Sequence, residues 1–145
     1  MLGKNNISKI ENLDSLSKLD VLDLHSNNIE VIENLSHLKF LRVLNLAGNQ
    51  ISNTENLSGL VSLTEINLRR NKISKVTDLD NIPTLQRVFL SNNNLKSFDD
   101  VVAVFNMKNI TELSLDGNAV ASMLNYRNIV LERIKTLRHL DLKRV

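Results

Sequence analysis

The apolar positions of this chain recur at a fixed interval. Leu19, Leu22, Leu24, Asn27, Ile29, Ile32, Leu35 and Leu38 return 22 positions later as Leu41, Leu44, Leu46, Asn49, Ile51, Thr54, Leu57 and Leu60. They return once more as Leu63, Ile66, Leu68, Asn71, Ile73, Val76, Leu79 and Ile82. A constant period of this size is the mark of stacked units that bury a shared core between neighbours. Within each unit, L-x-x-L-x-L alternates with the period of a strand, so stacked copies predict a parallel sheet with its leucines turned inward. The later Ile and Leu positions face that core from the opposite wall. They are too few per turn for a long helix and predict short 3₁₀ or irregular arms.

The units divide one domain, 1–145, as follows. Residues 1–18 are the later part of a unit, with Asn5, Ile7, Ile10, Leu13 and Leu16 in place. Three full units span 19–40, 41–62 and 63–84. A longer one covers 85–109, with Leu85, Val88, Leu90, Asn93, Leu95 and Phe98. The unit at 110–136 starts with Ile110, Leu113, Leu115, Asn118 and Val120, and a terminal strand, 137–145, carries Leu137, Leu140 and Leu142. Between Ser122 and Lys135 the period breaks, and Met123, Tyr126, Val130, Leu131 and Ile134 take helical spacing. A helix there caps the open end of the core. At the other end Leu2 enters the pattern midway, which predicts that the chain is a piece of a longer protein or that another chain covers that edge.

The motif L-x-x-L-x-L-x-x-N-x-I resembles the leucine-rich repeat. The fold expected from it is an α/β solenoid, a right-handed horseshoe fragment with a parallel β-sheet on the concave face, short 3₁₀ or irregular convex arms and a C-terminal cap helix. The asparagine column Asn5, Asn27, Asn49, Asn71, Asn93 and Asn118 falls where each strand must turn. A buried amide there bonds backbone groups that the turn leaves unpaired, so the column is read as structural. Thr54 is the one polar residue among the convex core positions of the full units, and isoleucine is expected to fill its site without loss.

Composition then removes whole classes of function. Twenty-six Leu and 21 Asn dominate, and there is no cysteine, which excludes disulfides, thiolate metal sites and thiol nucleophiles and suits a reducing compartment. A net charge of +2 is too small for bulk electrostatic binding of nucleic acid. No apolar run approaches a bilayer span, and no signal-peptide core is visible. The chain is read as soluble and intracellular, with no direct contact to nucleic acid or membrane. His25, His37 and His139 show no metal-ligand spacing, and no nucleophile elbow, phosphate loop or kinase signature appears. Asp99 and Asp100 suit the start of a helix. No catalytic, cofactor or metal site is expected, which leaves a binding scaffold.

The x positions of the strands line the concave face in three rows. The first is Val21, Val43, Glu65, Arg87, Glu112 and His139; the second Asp23, Asn45, Asn67, Phe89, Ser114 and Asp141; the third His25, Ala47, Arg69, Ser91, Asp116 and Lys143. Phe89 is the only aromatic among them. With Arg87, Arg69 and Arg70 it forms the preferred contact cluster for a protein partner, flanked by Asn67, Asn45 and Asp23, because aromatic and Arg side chains dominate interface hot spots. An exposed ring beside guanidinium groups suits an acidic partner. A second basic surface comprises Arg127, Arg133, Lys135, Arg138, Lys143 and Arg144, opposed by Glu132 and Asp141.

Ile32-Glu33-Asn34-Leu35 and the cap residues Asn118, Tyr126, Arg127 and Leu137-x-x-Leu140-Asp141 resemble the 22-residue class typified by the leucine-rich regulatory subunit of protein phosphatase 1. Ala119 and Lys135 stand where that cap often has proline. Leu19-Asp20-Val21-Leu22-Asp23-Leu24-His25, Leu41-Arg42-Val43-Leu44-Asn45-Leu46, Leu63-Thr64-Glu65-Ile66-Asn67-Leu68-Arg69 and Leu140-Asp141-Leu142-Lys143-Arg144 are similar to the leucine-rich-repeat subunit of tubulin polyglutamylase complexes. That resemblance implies a non-catalytic scaffold with sibling subunits or tubulin as partners, in the cytoplasm, cytoskeleton, cilium or centriolar region. A phosphatase regulatory module and an RNA-processing scaffold of the same class are the alternatives.

Overall fold

In the computed structural model, which describes residues 1–145, each L-x-x-L-x-L segment puts its central residues in a three-residue strand. The strands are β1 (Val21–Asp23), β2 (Val43–Asn45), β3 (Glu65–Asn67), β4 (Arg87–Phe89) and β5 (Glu112–Ser114), followed by the shorter β6 (His139–Leu140) and β7 (Lys143–Arg144). They form one sheet in chain order, parallel from β1 to β6. The register is that of the repeat, with Leu22, Leu44, Ile66, Val88, Leu113 and Leu140 in one column. All six are buried in a single apolar core. The opposite wall is built of turns, with 3₁₀ segments at Leu79–Asn81, Phe98–Val101 and Ala119–Ser122. Its residues Ile29, Ile51, Ile73, Leu35, Leu57 and Leu79 close the core from behind.

The asparagine column works as a ladder. Asn49 Nδ2 donates to Leu46 O of its own turn and to Leu24 O of the preceding one, each at 3.0 Å, while its Oδ1 accepts from Ile29 N at 3.0 Å. Asn27, Asn71 and Asn93 repeat the arrangement, and Asn118 Oδ1 accepts from both Asn93 N and Leu95 N. Each amide thus stitches two coils together in a dry place, where an unmet group costs roughly 1–3 kcal/mol. Asn5 differs: it is exposed and bonds only Leu2 O and Gly3 O.

Two further columns carry the bends. Lys4, Ser26, Gly48, Arg70, Asn92 and Gly117, each just before a ladder asparagine, have positive φ, as do Asn12, Asn34, Asn56 and Asp78 on the convex side. The convex asparagines also bond backwards, Asn34 Nδ2 to Ile10 O at 2.7 Å and Asn56 Nδ2 to Ile32 O at 2.9 Å. Asn and Gly tolerate the left-handed region, where other residues lose about 1–2 kcal/mol.

Thr54 is not a site awaiting isoleucine. Its Oγ1 donates to Thr77 O at 2.5 Å and accepts from Thr77 N at 2.7 Å, so the hydroxyl joins neighbouring coils inside the convex wall.

At the C-terminal end, α1 (Val102–Phe105) opens after Asp100 Oδ2 has accepted Lys96 N and Ser97 N, the acidic helix start expected there. The cap helix α2 (Tyr126–Arg133) buries Tyr126 and Val130, while Met123 lies in extended chain ahead of it and stays exposed. The terminal strand departs from the frame. Asp141 and Leu142 take left-handed φ, β7 turns back antiparallel on β6, and Leu142 is 73% exposed instead of filling the third leucine position. Asp141 is what holds this turn. Its Oδ1 accepts Leu115 N at 2.7 Å and Asp116 N at 3.1 Å, and its Oδ2 accepts the Tyr126 hydroxyl at 2.9 Å. Burial, and then the Asp141 charge, push the Tyr126 hydroxyl far above its ordinary pKa, so it stays a donor.

Candidate protein-binding surface

Alternation along β1 to β5 leaves the x residues on the concave side, and the parallel register lines them up in the rows read from sequence. In the second row, Asp23 Oδ1 accepts His25 N at 3.1 Å, Asn45 Oδ1 accepts Ala47 N at 3.1 Å, and Asn67 Oδ1 accepts Arg69 N at 3.2 Å. These side chains tie off the ends of their own strands. Asp23 also meets His25 Nδ1 at 2.7 Å. Partial burial would raise its pKa, but the hydrogen bonds from the His25 ring and backbone outweigh it and hold the carboxyl below the usual range.

Phe89 is the largest departure from expectation. It points to the concave side, outside the apolar core, yet only 5% of it is exposed. The Arg69 guanidinium lies 4.1 Å from the ring centroid and the Arg87 guanidinium 5.7 Å, so two arginines roof the ring. Ser114, its partner across the ladder, is 1% exposed with an unbonded hydroxyl. Phe89 is therefore a platform and not an open anchor.

The arginines differ from one another. Arg87 is held between carboxylates, Nη1 to Glu65 Oε2 at 3.0 Å and Nε to Glu112 Oε2 at 3.0 Å, so its charge is met along its own row. Arg69 and Arg70 have no carboxylate partner and no side-chain hydrogen bond. They line a cleft of about 370 Å³ along the C-terminal ends of the strands, together with His25, Ala47, Ser91 and Asp116. Ser91 Oγ donates to Asp116 Oδ1 there at 2.6 Å. The pairing of Arg87 could have been suspected from its row, where Glu65 and Glu112 flank it.

The residues of the second basic surface are held in different ways. Arg127 turns inward to Leu140 O at 3.4 Å and Arg144 O at 3.3 Å, and Arg133 lies 5.2 Å over the Phe105 ring. Lys135 and Arg138 line a separate polar cleft of about 680 Å³ with Pro83, Gln86, Asn109 and Thr111. Lys143 and Arg144 sit in the terminal hairpin. No group of three or more His, Cys, Asp or Glu side chains is placed to hold a metal ion, and no helix is long and apolar enough to cross a membrane.

Among solved structures, a chain of the SNF/U2A′ complex of Drosophila melanogaster is similar at 28% identity and a TM-score of 0.81, over 86% of this chain and 74% of that one. An internalin of Listeria monocytogenes is similar at 27% identity and a TM-score of 0.81, over 97% of this chain and 40% of its own length. A leucine-rich repeat protein of Leptospira interrogans shares the fold at 23% identity and a TM-score of 0.80, over 93% of this chain and 34% of its own. No curated protein matches the chain. The leucine-rich repeat family model matches residues 45–145, the stretch that runs from the end of β2 through the asparagine ladder to the capped end, and with the strand register and ladder described above the chain belongs to the leucine-rich repeat family.

Proposed function

We propose that the chain is a non-catalytic protein–protein interaction scaffold that holds its partner against the concave sheet. The observation that carries this is a contrast: the buried amides of the asparagine ladder and the buried Thr54 hydroxyl are tied between coils, whereas the concave edge presents Arg69 and Arg70 with their donors open. Protein recognition is what such a preorganised, cation-bearing surface suits best.

The finer reading is a subunit of a microtubule-associated assembly of the tubulin polyglutamylase kind, in the cytoplasm at the cytoskeleton, cilium or centriolar region. The β1 to β3 stretches and Leu140 to Arg144, which include concave residues as well as frame leucines, support it. An RNA-processing scaffold is the second reading, and the likeness to a chain of the SNF/U2A′ complex is what speaks for it. A phosphatase regulatory module is the third. Affinity purification of the full-length protein with mass spectrometry separates them. Recovery of sibling subunits or tubulin fits the first, splicing proteins replace it with the second, and phosphatase catalytic subunits replace it with the third.

A further inference from the structure

We infer that Arg69 and Arg70 form a clamp for the carboxylates of an extended acidic segment of a partner protein. The inference rests on the concave-face reading above and names the chemistry of what that face takes.

Three observations lead to it. First, Arg69 is positioned without being satisfied. Its guanidinium carbon lies over the Phe89 ring, 4.1 Å from the centroid, which holds the group in place while its N–H donors stay free for a planar, bidentate acceptor. The nearby Arg87, by contrast, already has Glu65 and Glu112. Second, Arg70 has a φ of 56° in a column whose other members are Lys4, Ser26, Gly48, Asn92 and Gly117. A long side chain in the left-handed region is unfavourable, and such strain is kept where a side chain is needed at that spot. Arg70 is exposed and unpaired beside Arg69 at the mouth of the cleft.

Third, the cleft has the shape of a strand. It runs from His25 to Asp116 across the ends of five strands, four steps of about 4.8 Å or roughly 19 Å in all, which matches about six extended residues. Small side chains, Ala47 one coil before Arg69 and buried Ser91 one coil after, leave the arginines standing above the trough. An extended acidic segment offers both arginines separate carboxylates along the trough, at about 3.3 Å of rise per residue, which a single phosphate group cannot do.

The test uses a fluorescein-labelled oligoglutamate peptide, with a Gly/Ser peptide and a phosphoserine peptide of equal length as references, read by fluorescence anisotropy. The wild-type chain is expected to bind oligoglutamate in preference to both references, with affinity falling as salt is raised. Arg69→Ala and Arg70→Gly should each weaken binding about tenfold, and Arg69→Lys several-fold, because an ammonium group offers no planar fork. Circular dichroism confirms that each variant is folded. Since Arg70→Gly also relieves the left-handed backbone, it should bind more weakly while melting higher, which a merely structural role would not produce. Equal affinity in the folded variants, no preference for oligoglutamate over Gly/Ser, or tighter binding of the phosphoserine peptide would each overturn the clamp. A protein that captures partners indifferently to Arg69 and Arg70 loses the clamp and keeps the scaffold reading. One that binds oligoglutamate through them but captures no partner keeps the clamp and loses the scaffold reading.

Discussion

Asn71 and Arg70 are neighbours in the chain, and the regions they belong to are built in opposite ways. Asn71 is buried in the ladder, donating to Leu46 O and Leu68 O and accepting from Ile51 N. Arg70 stands at the concave edge in a left-handed turn with its side chain unpaired. The ladder wall meets every side-chain polar atom it buries, because a dry unmet donor or acceptor is costly. The concave edge leaves polar groups open in water, where that costs little, and keeps them for another molecule. The difference teaches where to look on a solenoid of this kind: stability is concentrated where polar groups cross between coils, and recognition where they do not.

The predictions that would break this division begin with the ladder. Asn71→Ala should cost about 2–3 kcal/mol in denaturant unfolding, since it leaves the buried Ile51 N without an acceptor and takes from Leu46 O and Leu68 O one of the two amide donors that each has. Asn5→Ala, at the exposed start of the column, should cost no more than a few tenths. Similar losses at the two positions would remove burial as the cause. Tyr126→Phe should cost about 2 kcal/mol, because the hydroxyl is bonded to a carboxylate that also holds Leu115 N and Asp116 N. A thermal melt of that variant checks whether the last coil follows the ladder's rule.

Thr54→Ile should lose about 1–2 kcal/mol in urea, the reverse of what its place in the apolar frame suggests, as Thr77 N would be left without an acceptor and Thr77 O with Leu79 N alone. The smallest effect sharpens the other side of the comparison. Arg70→Gly should gain about 0.5–1 kcal/mol by calorimetry, the relief of the left-handed backbone less the entropy glycine adds to the unfolded chain. A loss there would mean that Arg70 is held by the fold after all.

The frame of the molecule could be read from its period alone, because one inward leucine column sets both strand spacing and register. The asparagine column was equally plain, as was the apolar face of α2 at Tyr126 and Val130. What escaped depends on side chains that reach across coils at offsets other than the repeat. Thr54 bonds Thr77, 23 positions on, and Arg69 leans diagonally over Phe89, so neither contact shows as a column. Leu142 fits the motif perfectly and still faces solvent, because Asp141 is captured by the preceding coil and turns the chain. The convex column of Asn12, Asn34 and Asn56 repeats at the same period and meets a backbone requirement for left-handed residues, which the leucine frame does not express.

The concave face as the site of recognition is tested most directly by placing a single reactive group on each wall. The chain has no cysteine, so Ala47→Cys in the concave cleft and Ser58→Cys on an exposed convex turn can each carry a photocrosslinker without interference. In complexes formed by this chain, the account predicts that the partner crosslinks from position 47 and not from position 58, and that adding Arg69→Ala weakens the first signal. A partner that crosslinks from position 58 while position 47 stays silent would contradict it.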